Sequence, residues 1–428
     1  MRFTRGAGVM PLPDSRRAST LASRILPAGV DEAAWLILAS RGLRGFCDGF
    51  IAVLLPAYLL SLGLSQLDVG LIGTTTLAGS AIATIAVGML ASRFTQRRML
   101  TLAAVLMAAT GIGFASFSAL WPLFVVAFAG TLNPSSGDVS LFLPLEQSRL
   151  AQAADGDART ALFARYSLVG AVSAAVGSLA AGLPIFVASH TGITTLSAMR
   201  GMFLVYAATG IVVCMLYRRL PRPETHAATQ APPPLGPSRP IVIRLAMLFS
   251  VDAFAGGLVV NSLLSLWLMQ RFGLSIAAAG RFFFWAGLLS AGSQLAAAPL
   301  ARRIGLLNTM VFTHIPSSIC LIGAALAPTL PLTLTLLLMR SALSQMDVPT
   351  RTAYVMAVVT PAERPAAASF TSVPRSLAAA LAPTLAGGLF GLGWLGAPLL
   401  ACGVLKIAYD LTLLAAFRHV EPNDERPR

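Results

Sequence analysis

The stretch VGLIGTTTLAGSAIATIAVGMLA, residues 69–91, runs 23 residues without a charged side chain, gives way to SRFTQRR at 92–98, and resumes apolar as MLTLAAVLMAATGIGFASF at 99–117. A helix that crosses a bilayer needs about 20 apolar residues, so both runs read as spans. Arg93, Arg97 and Arg98 between them mark the connecting loop as cytoplasmic. The rest of the chain repeats this pattern: 56% of its 428 residues are hydrophobic and only 11% charged, with mean hydropathy +0.75, whereas soluble domains carry about 25% charge. The composition leaves room for roughly a dozen spans and for no sizeable soluble domain, which excludes a soluble enzyme.

Apolar runs of spanning length fall near 33–61, 69–91, 99–117, 122–146, 161–188, 199–217, 242–269, 277–301, 307–327, 331–359, 366–391 and 395–417, which predicts an all-α polytopic membrane protein of about twelve transmembrane helices. Alternate connections carry Arg93/Arg97/Arg98, Arg149/Arg159, Arg218/Arg219/Arg222/Arg239, Arg302/Arg303 and Arg364, while the other loops hold little Arg apart from Arg271. Both termini are therefore expected in the cytoplasm. The formal charge of +14 reports topology, not nucleic-acid binding. Residues 1–32 read as a basic cytoplasmic tail, although their Arg-rich, acid-poor composition also fits an organellar transit sequence. Residues 218–240 are rich in Pro and Arg and read as a cytoplasmic linker between six-helix bundles at 33–217 and 241–417, with 418–428 a second tail. Cys47, Cys214, Cys320 and Cys402 show no metal or disulfide spacing, and none of the four histidines pairs with another at ligand spacing. No cofactor is expected.

The two halves repeat. Asp48 and Phe50 return as Asp252 and Phe254, Leu90-Ala91 as Leu300-Ala301, and Asp138-Val139 as Asp347-Val348, at offsets of 204, 210 and 209 residues. Parallel duplicated halves are a transporter architecture. The order of elements, with a basic loop after the second helix, resembles the major facilitator superfamily over about residues 33–417. The loop Gly88-Met89-Leu90-Ala91-Ser92-Arg93-Phe94-Thr95-Gln96-Arg97-Arg98 is similar to that superfamily's motif between helices two and three. The resemblance implies that Gly88 permits close helix approach and that Arg93 and Arg97 belong to a cytoplasmic gate. Ser92 stands where the family usually has Asp and Thr95 where it usually has Gly, so the charge-relay latch is altered here. The Gly-Pro antiporter signature of helix five is not present.

Charge at the bilayer centre costs at least about 2.5–3.5 kcal/mol, so such residues usually face a cavity or one another. Span one holds Arg41, Arg44 and Asp48 at i, i+3 and i+7, on one face. Asp138 lies in span four, Asp252 in span seven, and Arg340, Asp347 and Arg351 in span ten. The resemblance places these four spans around a central cavity. Arg side chains suit forked binding of an anion and Asp side chains suit protons. The alternative is mutual neutralisation, Arg41 or Arg44 with Asp138 and Arg351 with Asp347. Asp252 is the expected proton site, because no cation lies within a turn of it. Glu146 and Arg165 are expected to pair as a cytoplasmic gate, and Arg375 to face the cavity. Lys406 and Asp410 read as a local i, i+4 pair, and His314 either as a packing hydrogen bond or as a proton carrier. Prolines 56, 134, 144, 349, 374 and 383 are expected to bend spans.

These features predict a secondary active transporter working by alternating access. Its expected partners are a small-molecule substrate, with a tilt toward an organic anion or zwitterion, protons and the lipid bilayer, and it is expected as a monomer in a bacterial cytoplasmic (inner) membrane. A hydrophobic-drug exporter and a non-transporting sensor or scaffold are the alternatives.

Overall fold

A computed structural model describes residues 33–90, 93–135, 140–153, 156–221, 236–360 and 363–419. Ser92, Asp138, the first tail, linker residues 222–235 and tail residues 420–428, which carried expectations above, lie outside the described residues. The first half contains α1 (Ala33–Ser61), α2 (Gln66–Leu90), α3 (Gln96–Ser116), α4 (Leu120–Ala129), α5 (Phe142–Ala153), α6 (Gly156–Ala180), α7 (Leu183–Thr191) and α8 (Thr195–Arg218). The second contains α9 (Arg239–Gly257), α10 (Asn261–Phe272), α11 (Ile276–Ile304), α12 (Leu306–Leu326), α13 (Leu330–Leu343), α14 (Asp347–Val358), α15 (Arg364–Gly391) and α16 (Ala397–Phe417). No strand occurs among the described residues.

Eight spans are apolar and long enough by themselves, α6–α7 and α9–α10 each counting as one. Helices α11 and α15, of 29 and 28 residues, are more polar but equally long. The pairs α4–α5 and α13–α14 complete twelve passes. These last two occupy equivalent positions in the halves, and both are interrupted where the sequence predicts continuous helix. Pro144 and Pro349 therefore do not bend spans. Each is the third residue of a second half-helix, where its missing N–H has no intrahelical partner to lose. Broken backbone at bilayer depth persists only where protein satisfies it. In the first break the Thr131 amide donates to Thr110 Oγ1 (3.3 Å), the Tyr206 hydroxyl donates to the Thr131 carbonyl (3.0 Å), and the Pro134 carbonyl accepts from the Ser262 amide (3.1 Å).

Within a half, small residues let helices approach closely. A Cβ at Gly49 of α1 would sit 1.9 Å from the Ala174 carbonyl oxygen of α6, and one at Gly79 of α2 1.8 Å from that of Phe128 on α4. Gly88 does not serve this purpose, since a Cβ there meets nothing within 4 Å. The contacts between halves concentrate from mid-depth to the face opposite the linker. Ser265 Oγ donates to the Val53 carbonyl (3.3 Å), Ser178 Oγ to that of Gly280 (3.1 Å), and Thr384 Oγ1 to Thr74 Oγ1 (2.8 Å), while Gly70 and Gly387 abut. On α2 every buried residue lies within Val69–Ala81 and none within Ile82–Leu90, the end toward the linker. One apolar core runs through both halves, and a second, built on Phe249, Tyr354, Tyr409 and Phe417, belongs to the linker-side end of the second half alone. The halves are thus joined at the far face and separate toward the linker face.

At the linker face, Glu363 accepts hydrogen bonds from the amides of Gly236 and Ser238 and from the Thr360 hydroxyl (2.7 Å). The hydrogen bonds of Ser238 first, then Thr360, hold its carboxyl below the usual glutamate range. A lowered folded value stabilises above the unfolded value of about 4.3, and that contribution disappears as pH falls through the folded value. Hydrogen-exchange protection at Gly236–Ser238 should fall on acidification in the native chain and start low, without that pH dependence, in Glu363→Gln. Gly49→Ala should lower the thermal midpoint through an overpacking cost of about 1–3 kcal/mol, while Gly88→Ala leaves the midpoint unchanged.

Candidate functional site

Two buried ion clusters lie inside the spans, one per half. In the first, the break before α5 brings Glu146 one turn into a new helix, on the same face as Phe142. Its carboxylate is fully buried and accepts from Arg44 of α1, Tyr166 of α6 (2.6 Å) and Tyr217 of α8 (2.5 Å). The Arg44 guanidinium lies 4.0 Å from the centre of the Phe142 ring, a cation–π contact. Four helices are tied at one carboxylate. Glu146 therefore does not form the expected gate pair, because its oxygens are taken by Arg44 and two phenols, and Arg165 engages other groups. Beside Arg44, a cavity of about 10 Å³ bounded by Asp48, Thr131, Asn133, Ser140 and Tyr206 has space for a single water. Arg41 lies over the Tyr166 ring at 5.2 Å, against Gly170.

The second cluster joins α9, α12, α14 and α16. Asp252 of α9, 4% exposed, receives Arg351 Nη1 on Oδ2 (3.0 Å) and Lys406 Nζ on Oδ1 (2.5 Å). Arg351 also reaches its i−4 neighbour Asp347 at 3.3 Å, as the spacing predicts. His314 of α12 bridges Asp410 and Lys406, with Nδ1 3.0 Å from both Asp410 oxygens and Nε2 3.2 Å from Nζ. Asp252 was expected to be unneutralised because its own helix offers no nearby cation; the fold supplies two from other helices. Lys406 likewise leaves its helical neighbour Asp410 to His314 and turns to Asp252.

Lys406, His314 and Asp410 are thus the residues sequence reasoning undervalued. One signal was available: Lys406 is the sole lysine in a chain with 31 basic Lys and Arg residues. Counted with them, the cations Arg41, Arg44, Arg340, Arg351, Arg375 and Lys406 equal in number the acids Asp48, Asp138, Glu146, Asp252, Asp347 and Asp410. The distribution is uneven. Among the described residues Arg41 and Arg340 form no ion pair, and Arg340 lies half-buried beside Cys320 and Cys402. Arg375 on α15 is half-buried and engaged with neighbours.

In the loop after α2, Arg93 is exposed. Arg97 donates to the carbonyl of Arg218 and so caps the C-terminus of α8. Thr95, the departure from the family's Gly, is the N-cap of α3, its hydroxyl accepting from the Arg98 amide at 3.4 Å.

A family model described as Major Facilitator Superfamily matches residues 37–344 and 253–428. The chain belongs to the major facilitator superfamily. An uncharacterised membrane protein of Saccharomyces cerevisiae is 24% identical over 421 residues, covering 90% of this chain and 94% of the relative. A bacterial homologue of the human lysosomal transporter Spinster, in an inward-facing and occupied conformation, superposes with TM-score 0.67 at 17% identity, covering 90% of this chain and 94% of that one. The human organic anion transporter MFSD10 gives TM-score 0.64 at 18% identity, covering 89% and 98%. As a member of the major facilitator superfamily the protein is a multi-pass membrane transporter of small solutes.

Replacing one partner of a buried ion pair leaves the other uncompensated, at about 3–5 kcal/mol. Glu146→Gln should destabilise by that amount in chemical unfolding of the detergent-solubilised protein. Arg165→Gln should cost clearly less, which separates the observed strut from the gate pair expected from sequence.

Proposed function

We propose that the protein is a secondary active transporter that moves a small organic anion or zwitterion by alternating access, coupled to protons. The carrying observation is the contrast between the halves and their junction. Each half is bound internally by buried ion pairs, whereas among the described residues no ion pair joins the halves, which meet through an apolar core, close-packed small residues and a few hydrogen bonds toward one face. Rigid bodies joined by a seam without ion pairs can rock between two openings.

Positive charge supports the orientation. Arg93, Arg97, Arg98, Arg302, Arg303 and Arg364 lie at the linker face against Arg200, Arg271 and Arg281 at the other, so the linker and both termini are assigned to the cytoplasm and the conformation to an inward-facing state. Arg41, Arg44, Asp48, Asp138, Asp252, Arg340, Asp347, Arg351 and Arg375 are the proposed pathway, with Arg93, Arg97, Glu146 and Arg165 at its cytoplasmic end. Arg41 and Arg340, which form no ion pair among the described residues, support the preference for an anionic group. A single chain encloses this pathway, so a monomer suffices, and a bacterial cytoplasmic membrane provides the proton gradient.

The test begins with thermal stabilisation of the purified protein by organic anions, zwitterions, sugars and lipophilic cations; a ligand at about 100 times its Kd adds about 2.7 kcal/mol. Stabilising compounds then enter proteoliposome flux assays with and without a pH gradient. Anion or zwitterion flux that follows the gradient and is lost in Arg340→Gln is the expected result. Stabilisation by lipophilic cations or neutral compounds alone would replace this reading with that of a drug exporter, and flux indifferent to the gradient would remove the proton.

A further inference from the structure

His314 lies between two side chains of one turn of α16, and the chemistry of its neighbours fixes its tautomer. A lysine ammonium has three donors and no acceptor, whereas a neutral imidazole has one donor nitrogen and one acceptor. The 3.2 Å contact with Lys406 Nζ therefore makes Nε2 the acceptor. The proton then sits on Nδ1, which donates to the Asp410 carboxylate at 3.0 Å. A doubly protonated ring cannot keep this arrangement, since Nε2–H and the ammonium would meet donor to donor. Nε2 is also 3.9 Å from Asp252 Oδ1, the same oxygen that Lys406 holds at 2.5 Å.

We propose that His314 is a proton-binding site, and that a proton taken up on Nε2 passes Asp252 Oδ1 from Lys406 to His314 and releases the Lys406 ammonium. This deepens the proton coupling proposed above and rests on it, naming the group that binds the proton and the group that responds. The step adds one proton from water to Nε2 and exchanges hydrogen bonds; no other bond changes. Charge favours it. The ion-paired cluster sets three carboxylates, Asp252, Asp347 and Asp410, against two fixed cations, Arg351 and Lys406, so one proton balances it.

The charged groups around the ring come from α9, α14 and α16. Helix α16 supplies Lys406, Asp410 and the edge of Tyr409 at 6.2 Å. Helix α9 supplies Asp252, through which Arg351 and Asp347 of α14 act. Arg340 of α13 lies further along, beside Cys402. Helix α11, which also packs on α12, places no ionic group in the cluster among the described residues. The Lys406 side chain is the most exposed of the set at 12%, against 5% for His314.

Because Lys406 is the chain's only lysine, isotope-labelled lysine gives one side-chain NMR resonance in the full-length protein in nanodiscs. The titration runs from about pH 8 to about pH 5, where histidine exchanges its proton. The resonance should move between two positions in the native chain and stay at its high-pH position in His314→Gln, whose amide keeps a donor for Asp410 and an acceptor for Lys406 but binds no proton. Ring-labelled histidine, as the difference between native and His314→Gln spectra, should show the Nδ1–H tautomer at the high-pH end. A lysine resonance insensitive to pH in the native protein, an equal response in His314→Gln, or an Nε2–H tautomer would each overturn the proposal. If His314→Gln does not fold, the native titration together with a histidine spectrum assigned through His190→Gln, His226→Gln and His419→Gln decides the matter. Neither readout needs flux. A responsive lysine without gradient-driven flux removes the coupling and keeps the switch, while coupled flux with a silent lysine does the reverse.

Discussion

Charge cannot be left unpaired in hydrocarbon without a cost of several kcal/mol, and in this chain that constraint binds the helices of each half to one another. Asp252 draws α14 and α16 onto α9, and His314 adds α12. Glu146 draws α1, α6 and α8 onto α5. These ties are all internal to a half. Across the halves the chain uses apolar packing, Gly70, Gly387, Gly280 and a handful of hydroxyls, contacts that separate without exposing a charge. Ion pairs within and uncharged contacts between are what allow two bodies to move as units.

The interruptions in the fourth and tenth spans follow from the same constraint. Ending a helix at bilayer depth leaves carbonyls and amides unsatisfied, and Thr110, Tyr206 and Ser262 satisfy those of the first break. In return, a restarted helix begins with its side chains in a new rotational setting. Phe142 and Glu146 then point at Arg44, and Arg351 at Asp252. Continuous helices in these places would set both clusters by an unbroken helical phase. The breaks are thus how a duplicated bundle positions one charged group per half with independence from the rest of the span.

Reading the sequence alone recovers what is periodic or local. Apolar runs report spans because length and hydropathy are properties of the segment itself, and Asp347 and Arg351 report their pairing because four residues make one turn. The partners of Asp252 escape such reading, because Lys406 stands 154 residues away and only the bundle brings it near. The i, i+4 spacing of Lys406 and Asp410 was misleading for a related reason: two side chains on one turn can each find a better partner across the groove, and here His314 and Asp252 are those partners. The breaks were hidden because Gly130, Pro134 and their neighbours barely lower the hydropathy of a window while ending its hydrogen-bond ladder. Gly88 shows the converse. The motif is present, yet the close approaches of α2 are made by Gly70 and Gly79.

The two clusters resemble each other in burial but not in chemistry. The first combines a carboxylate, a guanidinium and two phenols, and of these neither the guanidinium nor the phenols exchange protons near neutral pH in their ordinary state. It holds four helices at one carboxylate. The second contains an imidazole held between an acceptor on one nitrogen and a competing cation on the other. Pseudo-symmetric halves therefore carry unequal tasks. The first cluster ties four helices at one carboxylate, while in the second the proton proposed for His314 decides which cation Asp252 keeps.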